Sequence, residues 1–187
     1  MPGIRVVIPS SPARAYGLLL AAIRNPDPVV FLEPKRMYRA PKEEVEDDGE
    51  PAPLDRCFLL REGNDITLVT WGALVAETLS VANRLADEGI GAEVIDVATL
   101  KPLDMDTILR SVERTGRCII VHEAALTGGF GAEIAARLAD KGLMHLLAPV
   151  VRVTGFDTVI PLPRLEQYYF PNEDRIYAAA KKVLDYA

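Results

Sequence analysis

ITLVTWGALVAETLSVANRLADEGIGAEVIDV, residues 66–97, contains the pattern from which the rest of the sequence is best interpreted. Ile66 to Thr70 form a short β-branched run that predicts a buried strand. Leu74 to Glu88 predict a helix, because apolar residues recur every three or four positions and Gly89 suits a helix C-terminus. Ala92 to Val97 predict the next strand. This order of elements is typical of a βαβ unit with parallel strands.

The same alternation continues on both sides of this stretch. Phe58–Arg61 predict a strand, and the short turn before Ile66 predicts that the two strands form a hairpin. Further strands are predicted at Arg117–Val121 and Pro149–Val153, and further helices at Asp104–Arg114, Gly131–Lys141 and Asn172–Tyr186. Residues 56–187 are therefore expected to form an α/β domain of three layers, with helices on both faces of a mostly parallel sheet.

The N-terminal residues form a separate unit. Arg5–Pro9 and Val29–Leu32 predict strands, and a helix is predicted between Ser10-Ser11-Pro12 and Asn25-Pro26. Two strands and one helix cannot supply the larger sheet in which parallel strands normally sit, so residues 1–34 are incomplete as a domain. Residues 35–55 are rich in proline and acidic side chains and are predicted to be an interdomain linker.

The amino-acid composition argues against several classes of function. The chain has 187 residues, 49% of them hydrophobic, and a net charge of -6. It contains no apolar run of membrane-spanning length and does not start with a secretory signal, so we expect a cytoplasmic protein without membrane partners. Scattered Lys and Arg residues disfavour nucleic-acid binding. Cys57 and Cys118 are expected to be core thiols.

Ligands of open α/β sheets bind beyond the carboxyl ends of the strands, so the loops there are the candidate sites. One is Thr99–Pro102, and the richest is the glycine-rich turn His122–Phe130. This turn could hold an anion at a helix N-terminus, but a tight turn packed on a subunit interface is the favoured interpretation. His122 and Glu123 should point to opposite sides of a strand, which favours a hydrogen-bonded structural or interfacial histidine. No complete catalytic constellation is predicted.

Several blocks together resemble the beta subunit of the thiamine diphosphate-dependent, decarboxylating component of 2-oxoacid dehydrogenase complexes. They occur in the order that the family has and span the chain from end to end. The blocks are PGIRVVIPS at 2–10, GLLLAAIR at 17–24, VFLEPKRMYR at 30–39, EVID at 93–96, TLKPLD at 99–104, HEA at 122–124, TGGFG at 127–131 and RVTGFDT at 152–158. The branched-chain type is nearest, and the pyruvate type is the other member considered.

The resemblance implies a transketolase-type C-terminal domain preceded by the end of a pyrimidine-binding domain. It implies oxidative decarboxylation of a 2-oxo acid with acyl transfer to lipoyl groups, with thiamine diphosphate and Mg²⁺ bound in the intact complex. The family's cofactor-contacting residues precede the part that this sequence resembles, or belong to the alpha subunit. No catalytic or cofactor-binding residue is therefore assigned, and the isolated chain is expected to be inactive and not to bind the cofactor.

The resemblance also implies two contact sites. A monovalent cation, K⁺, would be held at Ala22, Asn25 and Asp27. The partners implied are the alpha subunit, a second beta subunit, and the subunit-binding domain of the lipoyl acyltransferase core. The candidate interface residues are His122, Gly128, Gly129 and Phe130, with the C-terminal carboxylate of Ala187 expected to meet a basic partner.

Two alternatives remain beside this interpretation. The chain could be a non-catalytic assembly module that dimerises and docks, or part of another transketolase-type enzyme. The block Phe31-Leu32-Glu33-Pro34-Lys35 argues against the second alternative.

Overall fold

The computed structural model describes residues 3–40 and 42–186, which contain two sheets and six α-helices. The strands are β1 Arg5–Val7, β2 Val29–Phe31, β3 Phe58–Arg61, β4 Ile66–Thr70, β5 Ala92–Asp96, β6 Thr99–Lys101, β7 Cys118–Ala125 and β8 Val151–Gly155. The helices are α1 Pro12–Arg24, α2 Val75–Asp87, α3 Met105–Thr115, α4 Gly131–Lys141, α5 Glu166–Tyr169 and α6 Glu173–Leu184. None of the helices in the described part of the chain combines the length and the hydrophobicity that a membrane span requires.

The larger sheet has the strand order β3-β5-β4-β7-β8, and only β3 runs antiparallel to its neighbour. The predicted mostly parallel α/β sheet is confirmed, but the predicted hairpin between β3 and β4 is wrong, because β5 lies between these strands. The turn at 62–65 bonds to the start of β5 instead. The Asp65 N–H donates to the Gly91 carbonyl, at 2.9 Å, and the Asp65 carboxylate accepts from the Gly91 N–H.

Alternating side chains of the central strands fill two cores, one on each face of the sheet. Leu68, Val94 and Ile119 pack on one face beneath α2 and α6. Their sequence neighbours Val69, Ile95 and Ile120 pack on the other face beneath α3 and α4, and the face of each helix that meets the sheet is apolar. The three layers predicted from the alternation of strands and helices are therefore present.

The smaller sheet has the order β2-β1-β6 and joins the two parts of the chain. β1 and β2 are parallel and flank α1, as the N-terminal pattern predicts. β6 pairs antiparallel with β1 and comes from the C-terminal domain. Thr99–Lys101, which the sequence placed in a loop, is thus a strand, and it supplies the third strand that the N-terminal unit lacks.

The acidic connector packs on α1 over part of its length. The Ala52 N–H donates to the Gly17 carbonyl at 2.9 Å, and a Cβ on Gly17 would lie 2.8 Å from the Ala52 Cβ. Gly17 therefore permits the close approach. Farther along, Asp55 accepts from Arg5 of β1 at 3.0 Å. A short 3-10 turn, Lys35–Arg39, precedes this stretch.

Candidate functional site

The strand order reverses between β4 and β7, and this crevice is where doubly wound sheets usually place their ligands. From β4 the chain passes through α2 to β5 on one side, and then through α3 to β7 on the other side. Trp71 follows β4 directly, His122 lies in the second half of β7, and Phe130 precedes α4. These three aromatic rings meet at the carboxyl ends of the central strands.

His122 is buried in this cluster. Its ring stacks on Trp71 with centroids 5.3 Å apart, and the edge of Phe130 contacts the same indole. Only 1% of His122 is exposed, and neither ring nitrogen has a hydrogen-bond partner among the described residues, so the expected hydrogen bond is not found there. Burial and the charge of Arg152 lower its pKa to about 4, against a smaller opposing effect of the nearby Ala124 backbone. His122 is therefore neutral near pH 7 and shielded from any substrate.

The glycine-rich turn closes over the imidazole of His122. A Cβ on Gly129 would lie 2.4 Å from the Ala125 carbonyl oxygen and 2.5 Å from the His122 ring, and one on Gly131 would lie 2.5 Å from the same ring. Gly128, by contrast, is exposed with free space around it. His122 and Gly129 thus shape the turn from within. Gly128 and the partly buried Phe130 are the interface candidates that a partner can reach, and their contact with a partner stays a prediction.

Glu123 lies on the opposite face of β7 from His122, as the alternation of a strand requires. Arg36 from the 3-10 turn forms an ion pair with Glu77 of α2 and lies 3.9 Å from Glu123. Burial raises the pKa of Glu123, and the Arg36 guanidinium opposes that shift. These charged side chains connect the segment after β2 with the start of α2 and the end of β7.

A cleft of about 420 Å³ opens beside this ion-pair group. Basic side chains of the 3-10 turn form one wall, and Glu123 and Glu166 face them. The remaining lining residues include Pro34, Pro163 and Phe170. Arg36 and Glu77 were not singled out in the sequence, because only the fold brings residues so far apart in the chain into contact.

The three candidate cation ligands lie together at the end of α1. The Ala22 carbonyl accepts from the Asn25 N–H at 3.3 Å, and the Asn25 side-chain oxygen accepts from the Asp27 N–H at 2.9 Å. The Arg5 guanidinium binds the Asp27 carboxylate at 2.6 Å. Oxygen donors suit a hard cation, but here Arg5 already neutralises the one carboxylate of the set. A cation at this turn remains a prediction.

The last interface candidate is not tested by the structure, and Mg²⁺ is expected only in the intact complex. Ala187 lies outside the described residues. In the described ranges 3–40 and 42–186, no group of three or more His, Cys, Asp and Glu side chains is arranged to hold a metal ion. The described residues therefore do not fit Mg²⁺, and no chemical step is assigned to a metal here.

Comparison with known proteins shows which domain families this architecture resembles. Residues 56–176 match the transketolase C-terminal domain, and residues 1–41 match the transketolase pyrimidine-binding domain. The chain is 45% identical over 185 residues to the pyruvate dehydrogenase E1 component subunit beta of Bacillus subtilis, covering 99% of the chain and 57% of that protein. It is 47% identical over 186 residues to the mitochondrial 2-oxoisovalerate dehydrogenase subunit beta 2 of Arabidopsis thaliana, covering 100% of the chain and 52% of that protein.

A solved structure described as a split gene transketolase, inactive beta4 tetramer, superposes with a TM-score of 0.80 at 28% identity. The match covers 100% of this chain and 59% of that one. The chain thus spans little more than half the length of the relatives it matches. With the domain match over 56–176, these findings show that the chain belongs to the family of the transketolase C-terminal domain and is homologous to the E1 beta subunits of pyruvate and 2-oxoisovalerate dehydrogenases.

Proposed function

We propose that this chain forms the second half of a beta subunit in the decarboxylating component of a 2-oxoacid dehydrogenase complex. In this role it contacts the alpha subunit, a second beta subunit and the subunit-binding domain of the acyltransferase core, and it supplies no catalytic group. The observation that carries the proposal is the end-to-end similarity to E1 beta subunits, through both domains in the same order.

The burial of His122 argues against a catalytic role for this residue. A general acid or base must reach the proton it transfers, and a histidine that is 1% exposed beneath Trp71 cannot. The described cysteines do not offer a nucleophile either, because burial raises the pKa of the Cys118 thiol to about 12 and that of Cys57 further still.

An exposed apolar segment beside the cleft is the subunit contact we propose. Between Phe156 and Tyr168 the chain exposes six large apolar side chains, and clusters of this kind mark interaction sites. They are Phe156, Val159, Ile160, Leu162, Leu165 and Tyr168. Pro163 and Glu166 of the same segment line the cleft beside Arg36 and Glu123. We call residues 156–168 the contact segment and propose the alpha subunit as its partner.

Sedimentation of the chain with the alpha subunit of the same organism tests this contact. Replacing Val159 and Leu162 by Asp should weaken the association at least tenfold, because two charged groups would have to be desolvated in the interface. Met144 is 91% exposed and lies outside the contact segment, so Met144→Asp is the matched control and should bind normally. Equal binding by all three proteins would exclude the contact segment.

Thiamine diphosphate and Mg²⁺ belong, in this proposal, to the assembled component. The cofactor supplies the bond-breaking chemistry, and the protein binds and orients it. The N-terminal part of this chain supplies only β1, α1 and β2 of a pyrimidine-binding domain. Calorimetric titration of the 187-residue polypeptide with thiamine diphosphate and Mg²⁺ should give no heat of binding, whereas tight binding would contradict the proposal.

The substrate is proposed as pyruvate or a branched-chain 2-oxo acid. The identities to the two kinds of relative, 45% and 47%, are too close to separate them. The second candidate function is a non-catalytic assembly module that self-associates and docks. The exposed contact segment favours it, and turnover by a complete subunit that contains this chain would exclude it.

A further inference from the structure

Asp96 occupies the junction between the two sheets. It is the last residue of β5, and none of its surface is exposed. Its Oδ2 accepts a hydrogen bond of 2.5 Å from the Ser10 hydroxyl, which belongs to the loop between β1 and α1. Its Oδ1 accepts from the Ala98 N–H at 3.1 Å. One carboxyl group thus binds both parts of the chain.

The turn that Asp96 stabilises also holds β1 directly. Ala98 has a φ of 49°, in the left-handed region that residues other than glycine rarely adopt. The bond from its N–H to Asp96 offsets the strain of that conformation. The Ala98 carbonyl in turn accepts from the Ile8 N–H at 2.8 Å. Loss of the Asp96 contacts would therefore loosen the attachment of both Ile8 and Ser10.

The charged surroundings of Asp96 are sparse. Arg14 of α1 faces it, but the guanidinium stacks on the Phe58 ring at 3.5 Å from the centroid. Among the described residues, no ion pair to Asp96 forms within 4.0 Å. Cys57 is the other titratable neighbour, and its raised pKa keeps the thiol neutral. An ionised Asp96 is thus a buried charge without a close partner.

We propose that the Asp96 carboxyl is a proton-operated latch between the two sheets, which a bound proton closes and which ionisation loosens. The protonated carboxyl can donate its proton to the Ser10 oxygen, so the contact to Ser10 persists without a buried charge. The ionised carboxylate keeps its two donors, but they and the more distant Arg14 compensate its buried charge only in part. This role of Asp96 does not depend on which partners the proposed function requires.

The direction of the pH effect follows from the difference between the pKa of Asp96 in the folded state and its pKa in the unfolded state. Burial raises the pKa of Asp96 from 3.8 to about 6, against the opposing effects of Ser10, Ala98 and Arg14. The folded state therefore binds more protons between these values, and its stability falls as the pH rises through this window. Two pKa units correspond to about a hundredfold change in the equilibrium between closed and open states.

Hydrogen exchange of β1 amides as a function of pH tests the latch, after correction for intrinsic exchange rates. Asp96→Asn mimics the protonated state at every pH. The protection factors of the β1 amides in this variant are divided by those in the unsubstituted chain. We expect this ratio to rise by roughly ten- to hundredfold from pH 4 to pH 7. The matched control is Asp87→Asn at an exposed position on α2, for which the ratio should stay constant.

A constant ratio for Asp96→Asn would overturn the proposal. If that variant does not fold, Ser10→Ala provides the test, because the Ser10 hydrogen bond favours the ionised carboxylate and so lowers the pKa of Asp96. Its removal should shift the loosening of β1 to higher pH. An unshifted pH profile for Ser10→Ala would equally contradict the latch.

Discussion

At the scale of single residues, His122 and Asp96 should give opposite pH dependences. Burial lowers the pKa of His122 from 6.5 to about 4, so the unfolded state binds more protons in this window. The stability that the neutral His122 contributes to the fold is therefore present above pH 6.5 and lost as the pH falls toward 4. Asp96 acts in the opposite direction between 3.8 and about 6. The two effects should largely cancel in the unsubstituted chain.

Single substitutions should expose each effect. We expect His122→Gln to become more stable relative to the unsubstituted chain, by about 3 kcal/mol at most, as the pH falls from 6.5 to 4. Asp96→Asn should become less stable relative to the unsubstituted chain by a similar amount over the same pH range. Urea unfolding at several pH values measures both, and parallel pH profiles for all three proteins would refute the assignment.

Residue patterns predicted part of this chemistry. Strand alternation placed His122 and Glu123 on opposite faces, and the structure has this arrangement. It could not predict that the His122 ring would have no hydrogen-bond partner among the described residues, because Trp71 and Gly131 enclose it from distant positions. The role of Asp96 was not predicted from the sequence, since its hydrogen bond to Ser10 forms only where the β1–α1 loop packs against the end of β5.

At the scale of elements, the turn from β7 to α4 should tolerate a methyl group at one glycine and not at its neighbour. Gly129→Ala should destabilise the fold by roughly 2 to 3 kcal/mol, because the new Cβ would meet a backbone oxygen that cannot move aside. Gly128→Ala is the control and should cost only about 1 to 2 kcal/mol for its φ of 75°. Thermal unfolding compares them, and equal losses would contradict the packing described.

Elements were predicted better than their pairing. Local periodicity and caps identified nearly every long helix and central strand, including α4 at the bounds observed. The sequence did not predict that β3 pairs with β5, or that β6 is a strand. A four-residue turn suits a hairpin equally well, and a three-residue strand carries almost no periodic signal. Both arrangements are decided by contacts with β5 and β1.

At the scale of the whole molecule, the exposed apolar surface should drive self-association when no other subunit is present. The contact segment is exposed together with Leu19 and Ile23 on the outer face of α1. We expect sedimentation velocity to show a concentration-dependent equilibrium with dimers. A single monomeric species over a wide concentration range would contradict this expectation.

The central claim, that this chain completes an E1 beta subunit, is tested most directly by turnover of a chimera. The part of the Bacillus subtilis subunit that precedes the similar region would be joined to this chain and combined with the Bacillus subtilis alpha subunit. Release of CO₂ from pyruvate or 2-oxoisovalerate, dependent on thiamine diphosphate, is the predicted result. A chimera that assembles with the alpha subunit by sedimentation and yet releases CO₂ from neither acid would contradict the account.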